Sequence, residues 1–97
     1  MNIELKEFDA AEYLTDDEAR AAYLSAVLES GDSEEFILAV GDIAKSIGMA
    51  KIAEDAGVGR NSLYKTFSAK KPRFDTMLKV IHALGMNISV TAQHKKA

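Results

Sequence analysis

The chain has 97 residues, of which 47% are hydrophobic and 28% charged, with a net charge of −3; this is the size and composition of one globular domain. It contains no cysteine, which excludes disulfides, thiolate nucleophiles and cysteine-bound metals. No apolar run approaches the ~18 residues of a membrane span, and the N-terminus lacks the pattern of a signal peptide. We therefore expect a single domain over residues 1–97 that is cytoplasmic and makes no membrane contact.

The first part of the chain, residues 1–32, is predicted to be an acidic extension of one strand and one helix. Apolar and polar residues alternate over residues 3–8, as in a short strand. Thr15 and Glu18 have the spacing of a capping box ahead of a helix over about residues 16–29.

The next part, residues 33–86, is predicted to be a helical core. Apolar residues recur there at helical spacing, and glycines end the segments. The expected helices cover about residues 34–46, 49–56, 60–67 and 73–84. Apolar residues then alternate with polar ones over residues 87–93, which predicts a half-buried strand. The sequence thus predicts a mostly α fold of about five helices with a short β-strand near each terminus.

Two of these helices, over residues 49–56 and 60–67, have the pattern of a helix-turn-helix. Gly57 falls where the turn needs a positive φ, and Ala53 is small enough for the two helices to approach closely. The structural positions of the predicted motif are Ile52, Ala53, Gly57, Val58, Leu63 and Phe67. The same spacing also occurs by chance in other helical proteins.

Turning the apolar residues inward leaves polar and basic side chains on the outer side of the second helix. They are Arg60, Asn61, Ser62, Tyr64 and Lys65. Arginine and asparagine pair with the edges of guanine and adenine in the major groove. The loop beyond this helix carries Lys70, Lys71 and Arg73, which suit the phosphate backbone. The alternative for the loop is an ordinary solvated surface.

Two families resemble this chain. Residues 52–88 resemble the lambda-repressor-type (XRE) helix-turn-helix domain, which implies a lambda-repressor-like bundle. The whole chain resembles the probable addiction-module antidote proteins through FDAAEYL, LESGDSEEFILAVGDIAKSIGM, LYKTF and PRFDTMLKVIHALGM. This second resemblance implies an antitoxin that binds double-stranded operator DNA, represses its own operon and neutralises a co-encoded toxin, usually RelE-like.

The sequence departs from the lambda-type pattern at the start of the first motif helix. That position is often a glutamine that contacts DNA, and here it is Met49. The phosphate contact is therefore assigned to Lys51 or to backbone N–H groups. One recognition helix covers few base pairs, so we also expect a two-fold homodimer on paired half-sites, with the C-terminal strand near its interface.

Charge is divided unevenly along the chain. Residues 1–35 carry eleven acids and two bases, a net −9, and residues 36–97 carry four acids and ten bases, a net +6. This asymmetry suggests two partners of opposite charge, and an RNA-cleaving toxin would have a basic surface. The predicted toxin-binding residues are Glu12, Tyr13, Asp16, Asp17 and Tyr23. The alternatives are that this segment only completes the core, or that the two halves are simply solvated faces of different sign.

No residue pattern indicates catalysis. His82 has no neighbouring acid or nucleophile, and three consecutive acids at residues 16–18 cannot converge on one metal ion. We expect no enzyme activity, cofactor or metal. Two other functions fit the sequence, a stand-alone XRE-type repressor without a toxin and a protein-interaction module that has lost DNA binding.

Overall fold

The computed structural model describes residues 16–93, and all of the regular secondary structure in this part of the chain is helical. Its five helices are α1 (Asp17–Ser30), α2 (Ser33–Ile47), α3 (Met49–Ala56), α4 (Arg60–Ser68) and α5 (Phe74–Ala83). None of the helices in this part is long and apolar enough to cross a bilayer. The predicted strand over residues 3–8 lies outside the described residues.

The predicted fold class is wrong in its C-terminal strand, because residues 87–93 have no regular secondary structure. No backbone hydrogen bond joins this segment to another residue in the described part of the chain. Val90 is 92% exposed and Ile88 is 37% exposed, so the alternating side chains do not share a buried face. Alternation alone does not make a strand, because a strand needs a neighbouring backbone with which to pair.

Aspartates cap the first two helices. The Asp16 carboxylate accepts a hydrogen bond of 2.7 Å from the Ala19 N–H, so Asp16, and not Thr15, is the capping residue of α1. The Asp32 carboxylate accepts from the N–H groups of Glu34 and Glu35 at 3.0 and 3.1 Å. In both helices the negative charge also suits the positive end of the helix dipole.

The core lies where α2, α3, α4 and α5 meet. The largest fully buried side chains are Val40 and Ile43 of α2, Ile52 of α3, Leu63 of α4 and Val80 of α5. Helix α1 closes one side of this core with Leu24, which is 6% exposed. Helix α1 is therefore part of the folded domain rather than an appendage.

Helices α2 and α4 approach closely at a glycine. A Cβ atom added to Gly41 would lie 3.0 Å from Cγ of Phe67, closer than ordinary van der Waals contact. Phe67 is 6% exposed and belongs to the core, so its ring has little room to move. Gly41 therefore sets how deeply α4 sits against α2.

The apolar stripe of α5 faces the core only from its second turn onward. Met77, Val80, Ile81 and Leu84 are buried. Phe74, which helical spacing places on the same stripe, is 68% exposed. It occupies the first position of α5, beyond the edge of the core.

Candidate nucleic-acid interface

Helices α3 and α4 are joined by the three-residue turn at residues 57–59. Gly57 has a φ of 74°, in the left-handed region. Its N–H donates to the Glu54 carbonyl at 3.1 Å, and the Val58 N–H donates to the Ala53 carbonyl at 3.0 Å. This pair of bonds is a Schellman motif, which ends α3 and redirects the chain, and it requires a residue that tolerates positive φ.

The positions assigned to the inner side of this helix pair face the core. Ile52, Ala53, Leu63 and Phe67 are all less than 10% exposed, and Val58 is half-buried. Burial of Leu63 and Phe67 on one side of α4 fixes which side faces solvent.

All five polar residues assigned to the outer side of α4 are exposed. Arg60, Asn61 and Ser62 form its first turn, directly after Gly59. No side chain caps this end of the helix, so its first N–H groups have no side-chain partner within the described residues. Side chains suited to base edges thus stand beside a helix end that favours anions.

Tyr64 and Lys65 occupy another side of α4. They line a groove of about 440 Å³ between α4 and α2, together with Leu38, Asp42 and Lys45. Tyr64 remains 43% exposed. The outer residues of α4 therefore divide into a first-turn group and a pair that faces α2.

The basic residues fall into two classes by their ion pairs. Lys51 contacts the Asp55 carboxylate at 3.1 Å, one turn along α3. Arg73 binds Asp75 with two bonds, Nε to Oδ1 at 3.0 Å and Nη2 to Oδ2 at 3.3 Å. The hydrogen bond from Arg73 lowers the pKa of Asp75 and raises that of Arg73.

Within the part of the chain that the structure describes, the remaining bases of the predicted set form no ion pair. They are Arg60, Lys65, Lys70 and Lys71, all exposed. These four side chains give the surface its uncompensated positive charge. Exposed ion pairs contribute little stability, so Lys51 and Arg73 are still able to exchange their carboxylate for a phosphate.

The residues predicted to bind the toxin do not share one exposed surface in the described part of the chain. Glu12 and Tyr13 lie outside the described residues. Asp16 caps α1, and Asp17 lies 3.4 Å from Arg20 in an ion pair. Tyr23 is half-buried and packs against the core, so its ring helps to hold α1 in place.

Two features of this surface were not recognised in the sequence. The Asp75 carboxylate compensates the charge of Arg73, two positions earlier in the chain. This contact depends on the local geometry of the loop. Leu28, Phe74 and Ile88 form an exposed apolar groove. A signal for the groove was available at Leu28, because it follows the buried Leu24 by one helical turn and continues its stripe past the core.

Known proteins similar to this chain give its family. The family described as "Probable addiction module antidote protein" matches residues 4–92. An uncharacterised protein of Haemophilus influenzae is 42% identical over 91 residues, covering 93% of this chain and 94% of that protein. No solved structure matches the chain. On the extent of these matches, this chain belongs to the family of probable addiction module antidote proteins.

Proposed function

We propose that this protein is an antitoxin without enzyme activity, which represses its own operon by binding operator DNA and neutralises a co-encoded toxin. The family supports the antitoxin role. The observation that carries DNA binding is the set of unpaired bases on α4 and the loop after it, backed by the buried Leu63 and Phe67. In this proposal α3 and α4 act as an XRE-type helix-turn-helix.

The proposed mode of DNA binding follows from the first turn of α4. This turn enters the major groove, where the Arg60 guanidinium pairs with guanine and the Asn61 amide pairs with adenine. Lys70 and Lys71 contact phosphates on the flanking backbone and position the domain without reading sequence. The free N–H groups at the start of α4 add a further phosphate site.

The proposed toxin is a small basic protein of the RelE-like kind. An enzyme that cleaves RNA must attract a polyanion, and its basic surface also attracts carboxylates. The exposed acids at the start of α1, Asp17 and Glu18, lie in the segment of opposite charge to the proposed DNA surface. In this arrangement the carboxylates accelerate encounter and apolar contacts give most of the affinity.

A titration of labelled DNA from the protein's own promoter tests the DNA-binding part. The expected result is preference for that DNA over a shuffled sequence, and affinity that falls with salt because phosphates are neutralised. Arg60→Ala should reduce the preference, and Lys79→Ala, which changes an exposed lysine of α5, is the matched control. Equal binding of promoter and shuffled DNA by the unaltered protein would refute sequence-specific repression.

A further inference from the structure

An apolar groove lies between the α1–α2 corner and the start of α5, and no residue in the described part of the chain covers it. It has a volume of about 390 Å³. Its floor is formed by the core residues Ile37, Met77 and Ile81. Leu28 and Phe74 also line it and are 50% and 68% exposed. A contiguous apolar surface of this kind marks a place where another segment or molecule binds.

A second depression continues this groove along α1, toward the start of that helix. It has a volume of about 130 Å³ and shares Leu28, Phe36, Ile81 and Ile88 with the groove. At its other end it reaches Ala21, in the second turn of α1. The two depressions therefore form one apolar track that leads from the second turn of α1 to the start of α5.

The groove is basic as well as apolar. Among the described residues that line it, the charged ones are Lys70 and Lys71. Glu34 lines a neighbouring depression together with Lys70, but no ion pair joins these two described side chains. The groove therefore suits an occupant that combines apolar side chains with carboxylates.

These two properties separate the candidate occupants of the groove. The proposed toxin is basic, so Lys70 and Lys71 would repel it. A second copy that presented the same groove would bring the same two lysines against them. DNA contacts lysines through its phosphates and does not bury an apolar floor. An acidic segment with large apolar side chains matches both the floor and the lysines.

The chain itself contains such a segment in residues 3–9, IELKEFD. Three of these seven residues are large and apolar, and three acids against one base give the segment a net charge of −2. The apolar residues are Ile3, Leu5 and Phe8, and the charged ones are Glu4, Lys6, Glu7 and Asp9. Apolar and charged side chains thus occur together over a length comparable to that of the groove.

The chain ahead of α1 is long enough for this segment to reach the groove. It joins the described part at Asp16, and Leu28 lies about 18 Å further along at the rise of 1.5 Å per helical residue. An extended chain covers this distance in about six residues. Residues 10–15 therefore suffice to run back along the track, which brings residues 3–9 level with the groove. A tether this short gives the segment an effective concentration on the order of millimolar.

We propose that residues 3–9 of the same chain bind in this groove. Their apolar side chains cover Leu28 and Phe74, and their carboxylates face Lys70 and Lys71. Both lysines are also proposed phosphate contacts, so the bound segment competes with DNA for them. The docking is independent of the proposed function, whereas this competition rests on it.

Paramagnetic relaxation enhancement locates the segment in the full chain. Because the protein has no cysteine, Asn2→Cys provides a single site for a nitroxide label. The label should broaden the amide signals of Phe74 and Lys71, which lie across the groove from α1. Leu5→Ser with Phe8→Ser in the labelled chain should restore these signals, because the apolar contacts with the groove are lost.

Phe74→Ser tests the groove side of the same contact. It should also restore the Lys71 signal of the labelled chain, because it removes the most exposed apolar side chain that lines the groove. Leu38→Ser is the matched control, since Leu38 is 60% exposed but lies outside this groove. This control should leave the broadening of the Lys71 signal unchanged.

Two results would overturn the assignment. The first is a labelled chain whose groove signals are not broadened, or are broadened as strongly after Leu5→Ser with Phe8→Ser. The second comes from a mixture of nitroxide-labelled chains with isotope-enriched chains that carry no nitroxide. Broadening of the Phe74 and Lys71 signals in this mixture would mean that the segment in the groove comes from another copy.

Fluorescence anisotropy with labelled DNA tests the competition. Leu5→Ser with Phe8→Ser changes no charge, so a change in DNA affinity reports the release of the lysines rather than the loss of acidic repulsion. Affinity for promoter and shuffled DNA should rise alike, by about threefold if the groove of the unaltered protein is open about one third of the time. In a background of Lys70→Gln with Lys71→Gln the same substitutions should change nothing. An equal rise in that background would refute competition at these lysines.

The docking and the proposed repression fail separately in these experiments. If the label leaves the groove signals sharp and the protein still prefers its promoter, the docking is wrong and repression stands. If the label broadens the groove signals but the protein shows no preference for its promoter, the docking stands and repression is wrong.

Discussion

The acidic and basic regions of this domain use their charges differently. In the acidic region, Asp16 and Asp32 accept hydrogen bonds from the first N–H groups of α1 and α2, and Asp17 pairs with Arg20. In the basic region, α4 has no side-chain cap, and several bases have no acidic partner in the described residues. Some of the acidic side chains thus stabilise the fold, whereas the basic side chains of α4 make no stabilising contact with an acid in the described residues.

This difference decides how far each charged region points to a partner. A charge that already stabilises its own helix needs no further explanation. A cluster of exposed bases on a short helix and its loop does need one, because like charges repel and contribute nothing to the fold. The fold therefore leaves the bases of the proposed DNA surface unexplained, whereas a test of the proposed toxin surface has to spare the acids that cap helices.

The largest effect is expected where the basic region joins the core. Leu63→Ala removes a fully buried side chain of α4 and should lower the free energy of unfolding by about 2–5 kcal/mol. Urea denaturation followed by circular dichroism measures this. Lys65→Ala, two positions along the same helix but exposed, should change stability by less than about 0.5 kcal/mol. Similar losses for the two variants would mean that α4 is not anchored as described.

The next effect concerns sequence reading by the basic region. Arg60→Ala should lose about 1–3 kcal/mol of discrimination between promoter and shuffled DNA, because one bidentate base contact disappears. Lys71→Ala should instead weaken binding to both DNAs equally and reduce the salt slope by about 1. Fluorescence anisotropy at several salt concentrations separates the two. An Arg60→Ala protein that keeps its full preference would remove the first turn of α4 from the major groove.

A third prediction tests the acidic region with its capping residue left intact. Glu12→Gln, Asp17→Asn and Glu18→Gln together should slow association with the co-encoded toxin by about tenfold at low salt, because steering by charge is lost. Surface plasmon resonance gives the association rate. Asp16 is kept because its loss would weaken α1. An unchanged association rate that also ignores salt would show that these carboxylates do not guide the toxin.

The structural role of the acidic region gives a smaller effect. Asp32→Ala removes the acceptor for two N–H groups of α2 and should lower the free energy of unfolding by about 1 kcal/mol. Binding to promoter DNA should be unaffected at temperatures where the variant stays folded. Glu29→Ala, which changes an exposed acid without a cap, is the thermal-denaturation control. Equal stability of the two variants would contradict the division between structural and free charge.

The sequence predicts this division only in part, and the reasons are local. Helix bounds at α2, α3 and α4 were placed within one residue because glycines end or separate these segments and helical spacing is regular. The outward position of Arg60 and Asn61 followed from the same spacing. The capping residue of α1 is Asp16, one position from the predicted Thr15, since a threonine next to an aspartate leaves two acceptors to choose from.

Other features depended on tertiary placement, which a linear pattern does not contain. Phe74 continues the apolar stripe of α5 but lies past the edge of the core. Alternation over residues 87–93 resembles a strand, yet no backbone among the described residues pairs with it. The Arg73–Asp75 pair requires the particular turn into α5, and it compensates the charge of a residue that is predicted to contact phosphate.

The smallest expected effect tests that compensated charge. Asp75→Asn should free Arg73, raise affinity for all DNA sequences and steepen the salt slope by up to about 0.9, the value for one more phosphate contact.

The same substitution should change how stability depends on pH. The hydrogen bond from Arg73 lowers the folded-state pKa of Asp75 below its ordinary 3.8. The pair therefore stabilises the fold above pH 3.8, and this stabilisation is lost as the pH falls through the lowered pKa. The exposure of the pair keeps the change in stability small, and Asp75→Asn should abolish it. Acid titration of the melting temperature measures the second effect, with Asp55→Asn as the control in the Lys51 pair. If the salt slope of Asp75→Asn stays unchanged, Arg73 does not contact DNA, and the basic surface consists of Arg60, Lys65, Lys70 and Lys71.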